Sequence, residues 1–309
     1  MRPWCAFMIS CLLVGSTLGP VAAEAEGRER VGHGRLVTND LLGDGNDRWR
    51  TGSVAASYVW SRDWQGRAPE RAGNVLELRF NAEIIAPENL RRPRPGDRPL
   101  ANALSLGLHT HFSAGETEIA LGGDLVATGA QTHLTDVQRT IHNIVDGTDP
   151  SAQVRRTQIG NDVFPTAVAE VGRDYYVGGP VRIRPFIEGR VGAETLLRVG
   201  ADMVIGSLGD GGLMVRDPVS GQRYRTVDGD GRGLSFILGA DIAHVEHSEF
   251  LPSSRGYDLT DARTRLRAGA HWQGDGGTEL FYGLTWLDKE FEAQRESQFV
   301  GSVRLGIKF

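Results

Sequence analysis

The stretch Gln131 to Val145, QTHLTDVQRTIHNIV, places Gln138 and His142 four residues apart. In a helix both side chains would leave the same face, one turn apart. Leu134, Val137, Ile141 and then Ile144 or Val145 recur at three- and four-residue spacings, which makes one apolar stripe beside that pair. A polar pair next to an apolar stripe suits a site at a lipid boundary. A neutral imidazole there is a candidate base for attack on an acyl ester; the same residue also reads as an interfacial histidine on a plug or loop helix. A second group lies early in the chain: Asn39-Asp40, then Asp44-Gly45-Asn46-Asp47, then Thr51-Gly52. Carboxylate and amide oxygens clustered this way can hold a hard cation such as calcium, although the spacing is not that of an EF-hand and the same residues also cap a turn.

Other charged motifs have two readings each. Asp97-Arg98-Pro99, with Arg91, Arg92 and Arg94, is either a structural ion pair at a barrel rim or a grip on lipid phosphates. His109 and His111 share a strand face and suit a metal or a lumen-facing pair. His244 and His247 straddle opposite faces. Asp228-Gly229-Asp230-Gly231 reads as a calcium loop or as a hairpin turn, and Gly209-Asp210-Gly211-Gly212 as a turn. There is no G-x-S-x-G, no H-E-x-x-H, no phosphate-binding loop and no cysteine nucleophile.

The elements that would position these residues are strands. The chain has 309 residues, 40% of them hydrophobic, and its mean hydropathy is -0.27. It has no run of ~18 apolar residues, so it is not a helical membrane protein. A β-barrel fits, because barrel strands alternate apolar with polar and average out. The 41 glycines fit a turn-rich β protein, and a formal net charge of -5 is too mild to suggest nucleic acid. Residues 1–23 read as a signal peptide: Arg2, an apolar stretch from Ala6 to Leu18, and Val21-Ala22-Ala23 as the cleavage site. Cys5 and Cys11 both lie inside it, so residues 24–309 carry no disulfide.

Strand alternation is clearest over Val75 to Ile84, where Leu76, Leu78, Phe80, Ala82 and Ile84 oppose Glu77, Arg79, Asn81 and Glu83. Similar stripes begin near Arg35, Ser53, Leu104, Ile119, Val181, Leu197, Leu234, Arg265, Leu280 and Phe299, while Pro165 to Val171 is ambiguous. The count is about twelve, an even number, as bacterial barrels require. The fold expected is therefore all-β, a transmembrane antiparallel barrel with a short helical insert near residues 131–145. Arginines on the polar faces suit a water-filled or plugged lumen. Trp60, Trp64, Tyr175, Tyr176, Trp272 and Trp286 suit aromatic girdles.

Taken in order, these blocks resemble the outer-membrane lipid A 3'-O-deacylase family, the LpxR-like proteins. The resemblance rests on Thr38-Asn39-Asp40, Asp47-Arg48 with Thr51-Gly52, Asp97-Arg98-Pro99, Gln138 with His142, and Gln158. It continues through Arg184-Pro185-Phe186-Ile187-Glu188, Glu249-Phe250-Leu251, and Glu290-Phe291 with Gln294. It implies a monomeric twelve-stranded barrel in the outer membrane of a Gram-negative bacterium, with its site near the outer rim. The implied reaction is calcium-dependent hydrolysis of the 3'-linked acyloxyacyl ester of lipid A in lipopolysaccharide. Carried onto this chain, His142 matches the catalytic histidine, and Asn39, Asp40, Thr51 and Gln138 match the other site positions. Calcium near Asp40 would polarise the ester carbonyl, Asn39 would donate to the oxyanion, Gln138 would orient water or substrate, and Thr51 would fix the carbonyl or a metal-bound water. This chain departs from the family pattern at Arg50, where Tyr is usual, at Leu100-Ala101-Asn102, where Tyr-Ala-Gly is usual, and after Gln158. Because Arg50 stands near the site, it is expected to alter the headgroup charges tolerated. The competing expectations are a barrel that is only a pore or structural protein, and a barrel lipase acting on phospholipid.

Overall fold

Period-two alternation turns this chain into a wall with an oily outside and a charged inside. The computed structural model describes residues 27–145 and 147–307. The segment read as a signal peptide and the terminal Phe309 lie outside the described residues, as do the side chains of Ile144 and Val145. Twelve antiparallel wall strands close into a barrel. They are β1 (Glu29–Asn39), β2 (Trp49–Ser61), β3 (Val75–Ala86), β4 (Ala101–Ala114), β5 (Thr117–Thr128) and β6 (Asp162–Arg173), then β8 (Val181–Val191), β9 (Glu194–Ile205), β12 (Gly233–Ser248), β13 (Arg263–Gln273), β14 (Glu279–Leu287) and β15 (Gln298–Gly306). The short β7 (Tyr175–Gly178) prolongs the pairing of β6 along β8. The ring closes where Val37, Thr38 and Asn39 of β1 meet Val303, Ser302 and Gly301 of β15.

Leu106, Leu108, Leu197, Leu234 and Phe236 stand exposed on the outside of the wall, while Glu77, Arg79, Arg184, Arg265 and Arg267 are buried inside. That apolar outer belt is the surface a bilayer solvates. His109 and His111 face the lumen, as the pair reading expects, bonded to Asp124 at 2.9 Å and Glu77 at 2.7 Å. Two boundaries differ from the sequence reading: β1 begins at Glu29 rather than near Arg35, and the ambiguous Pro165 to Val171 is a strand. The final strand is described through Gly306.

The lumen is not empty. β10 (Leu213–Arg216) and β11 (Arg223–Val227) form a hairpin that rises into it from the end of the barrel that holds the termini. The turn-rich pieces at residues 209–212 and 228–231 are its two flanks, and no group of three metal-binding side chains occurs among the described residues. Arg216 pairs with Glu170 and Asp202 at 2.8 and 2.9 Å. Arg225 pairs with Glu279 at 2.9 Å. The Arg265 guanidinium donates to the carbonyls of Pro218 and Val219 at the tip, at 3.0 and 3.2 Å. Below these, Leu213, Val215, Tyr224 and Val227 pack with Leu36, Val59, Val75 and Phe281 of the wall. Gly32 faces this hairpin because nothing larger fits: a Cβ there would stand 2.1 Å from the carbonyl oxygen of Thr226.

At the opposite end, three arginines and three glutamates close the mouth. Arg50 pairs with Glu83 and Glu290, both at 2.6 Å, Arg98 with Glu290 at 3.0 Å, and Arg263 with Glu194 at 2.8 Å. Burial pushes the Glu290 carboxyl up, but Arg50 and Arg98 outweigh it and hold the group well below the usual carboxylate range. Arg98 is thus the rim ion pair of the two readings given above, and Arg94 is likewise taken up by Glu88. This end also carries four connections of ten residues or more, 87–100, 129–161, 249–262 and 288–297, against two at the other end, 62–74 and the hairpin-bearing 206–232. The 129–161 connection contains helices α1 (Leu134–Val145) and α2 (Ala152–Arg156).

Candidate active site at the outer wall

Side-chain alternation decides where the site lies. Gly34, Leu36 and Thr38 of β1 are buried towards the lumen, so Asn39 points outward. Across the sheet Asn39 pairs with Gly52, Gly52 with Ile84, and Ile84 with Asn102, which makes one outward row at the rim. Helix α1 lies over that row. Asn102 donates from its side-chain amide to Thr135 Oγ1 at 2.8 Å, and the helix touches both β3 and β4. From Thr135 to His142 the helix rises about 10 Å, which matches two strand spacings of ~4.8 Å, from β4 to β2. Thr135, Gln138 and His142 therefore follow the row from Asn102 towards Gly52 and Asn39. Leu134 at the start of the apolar stripe is buried, while Val137 is exposed and Ile141 half-buried.

The first hairpin supplies the other half. Asn39 caps the short turn Asp40–Leu42: its Oδ1 accepts from the Leu41 N–H at 2.8 Å. Its amide nitrogen is left over Gly52, 3.1 Å from where a Cβ would stand. β2 carries an extra residue between Arg50 and Gly52 relative to β3. This bulge lets Arg50 turn into the mouth of the lumen while Thr51 stays with the site, as bulges re-aim side chains elsewhere. Thr51 donates to Asp47 Oδ1. The other oxygen of Asp47 lies 3.4 Å from His142 Nε2, and Asp149 Oδ1 lies 3.5 Å from His142 Nδ1. Asp40 is fully buried beside them; its Oδ2 accepts the Arg48 N–H at 2.7 Å, and its Oδ1 has no partner. Burial, then the charge of Asp47, pushes the Asp40 carboxyl well above its ordinary range. Gln138 is 3% exposed with both amide atoms unpartnered.

The structure thus brings together four of the five site residues named from sequence: Asn39 and Asp40 on β1 and its turn, Thr51 on β2 and His142 on α1. The fifth, Gln138, stands one turn before His142 on the same covered face. Two participants were not named as site residues. Asp47, although part of the early acidic cluster, is the link between Thr51 and His142. Asp149 follows the helix, and no local spacing reveals its return to the imidazole. Arg50, expected to alter the headgroup charges tolerated, is buried and committed to Glu83 and Glu290.

A hard cation fits this pocket in charge. Arg48 is spent on Asp44, at 3.1 Å, and Glu296. That leaves the buried Asp40 carboxylate and the part-exposed Asp47 carboxylate with no guanidinium or ammonium partner among the described residues. Asp40 Oδ1, Asp47 and the Thr51 hydroxyl are the oxygen donors calcium takes.

The sequence profile described as "Outer membrane protein LpxR" matches residues 7–309. No match was found among curated protein sequences. Among solved structures, LpxR from Salmonella typhimurium is similar over 90% of this chain and 100% of that chain, with 18% identity and a TM-score of 0.72. The beta domain of the Bordetella autotransporter BrkA covers 91% of this chain and 99% of its own, at 11% identity and a TM-score of only 0.38.

Proposed function

Because the chain belongs to the LpxR family of outer-membrane proteins, we propose that it is a lipid A deacylase that hydrolyses the 3'-linked acyloxyacyl ester, with His142 as general base and calcium as cofactor. One observation carries the reading. An imidazole carried on the wall-facing side of an amphipathic helix is flanked by two carboxylates, with a hydroxyl and an amide donor alongside, on the outer face of the wall. A lipid ester reaches that place from the bilayer without entering the lumen. The long connections cluster at this end, as extracellular loops do, so the site opens to the leaflet that holds lipopolysaccharide. A pore needs a water-filled lumen, and here the hairpin and the rim cluster occupy it.

The chemistry follows from the contacts. Asp149 favours the tautomer with the proton on Nδ1, which leaves the Nε2 lone pair facing Asp47 and Thr51. A water that donates to Nε2 would lie beside Asp47, whose Oδ2 is 3.4 Å from that nitrogen. His142 takes one proton of that water as its oxygen adds to the ester carbonyl. Asn39 Nδ2 donates to the oxygen that becomes negative. When the tetrahedral species collapses, His142 returns the proton to the sugar oxygen, and the products are a carboxylic acid and a free 3'-alcohol. Calcium held by Asp40 and Asp47 would add Lewis-acid polarisation of the carbonyl. Gln138, with both amide atoms free, holds the polar part of the substrate next to the ester.

Two measurements test this. Purified protein in detergent with lipid A and calcium should yield a mass loss equal to the acyloxyacyl group. No loss would refute the reaction, and loss of acyl chains from phospholipid alone would turn the assignment to a phospholipase. Asp149→Asn should lower kcat by about 10- to 100-fold, the range for residues that orient a functional imidazole, with little change in KM. Unchanged kcat would remove Asp149 from the mechanism.

A further inference from the structure

The wall has a seam that is only half sewn. β1 pairs with β15 over Val37–Asn39 alone. Lower down, Gly32 of β1 turns inward to pair with Val227 of the luminal β11. β15 continues along β14 through Gly306 with its other edge facing a gap. Between the diverging strands lies a crevice of about 280 Å³, lined by His33, Arg35, Val37, Val303 and Leu305 among others.

The outward face of β1 is unlike the rest of the belt. Its neighbours present leucine, valine and phenylalanine, whereas β1 presents Val31, His33, Arg35 and Val37. Arg35 makes no side-chain hydrogen bond or ion pair among the described residues. A lone guanidinium on a lipid-facing wall is costly, and such residues mark a partner. The carboxylates of the crevice are already committed. Glu279 is bound by Arg225, Arg304 and His271, each at 2.9 Å, and Asp228 lies 3.6 Å from Arg225 Nε. The level of the crevice is fixed by its neighbours. His33 stacks on Tyr58, Tyr58 adjoins Trp60, and Arg30 pairs across from Trp60. An aromatic pair at the terminus end of the barrel marks the headgroup level of the inner leaflet. Arg35 stands one outward position above His33, within reach of that level by snorkelling.

We propose that this seam is a binding site for one anionic glycerophospholipid of the inner leaflet. Its phosphate pairs with Arg35, with Arg30 just below, and an acyl chain runs up the crevice along Val37, Val303 and Leu305. A second copy of the chain fits less well, since a two-fold contact here would set Arg35 against Arg35. The site is separate from the rim site and does not depend on the deacylase reading.

The test uses the full barrel in a mild non-ionic detergent, with phosphatidylglycerol added and bound lipid counted by native mass spectrometry. Wild type should retain one lipid per barrel. Arg35→Leu should weaken retention at least about tenfold, the loss of one charge-assisted contact. Leu305→Trp, which fills the crevice but keeps the arginine, should do the same. Both variants should keep heat-modifiable migration and turnover, which separates this result from any failure of the enzyme assignment. Equal retention in wild type and Arg35→Leu would overturn the proposal. So would displacement of the lipid by inorganic phosphate, or a dimer without lipid.

Discussion

His142→Ala is expected to lower lipid A turnover by about 10²- to 10⁴-fold, the range a positioned general base supplies. Among the described residues of the rim row, the imidazole is the one whose ordinary pKa suits it to take a proton from water and return it near neutral pH. Asp47 and Asp149 can hold or orient it but not replace it. The loss should fall on kcat, because Gln138 and the cover of α1 still receive the substrate. Heat-modifiable migration should be unchanged, since His142 supports no wall strand. Mass spectrometry of lipid A after long incubation reads the residual rate. A variant that keeps full activity would show that the base has been misassigned.

The second large effect should come from taking the charge off Asp40 or the cation off the protein. The buried Asp40 and its neighbour Asp47 have no guanidinium or ammonium partner among the described residues and repel one another, and a divalent ion relieves that repulsion. Chelation should therefore abolish turnover, and calcium should restore it where magnesium, which demands a stricter octahedral shell, does not. Asp40→Asn keeps the contact to the Arg48 N–H but lowers the negative charge, so its calcium requirement should rise by one to several orders of magnitude. Activity in chelator equal to that in calcium would leave the site without its ion, while His142 would remain testable by itself.

Much of this was legible in the chain because the membrane imposes a strict alternation. Each stripe from Leu76 to Phe299 had only one way to face, and nearly every wall strand followed from it. The luminal hairpin did not show, for the same reason in reverse. Arg216, Asp217, Gln222 and Arg225 are buried and each bonds to a polar group, so the rule that equates polar with exposed hides the strands they belong to. The start of β1 was missed for a related cause: Gly32 and Gly34 face the hairpin, and His33 and Arg35 face out, which leaves no apolar stripe to read. At the site, Asn39, Asp40, Thr51 and His142 were visible as residue types with suitable chemistry. That Asp47 joins two of them depends on the bulge at Thr51 and on where a long loop folds back, and neither has a period.

The hairpin that fills the lumen has a bearing on the cell that carries this barrel. Every copy of an outer-membrane barrel is a potential hole in the envelope. Each copy of an open barrel of this width would admit small toxic solutes and dissipate gradients of nutrients. With Arg216 and Arg225 clamping the plug to opposite walls, copy number is freed from that constraint, and expression can rise without leakage.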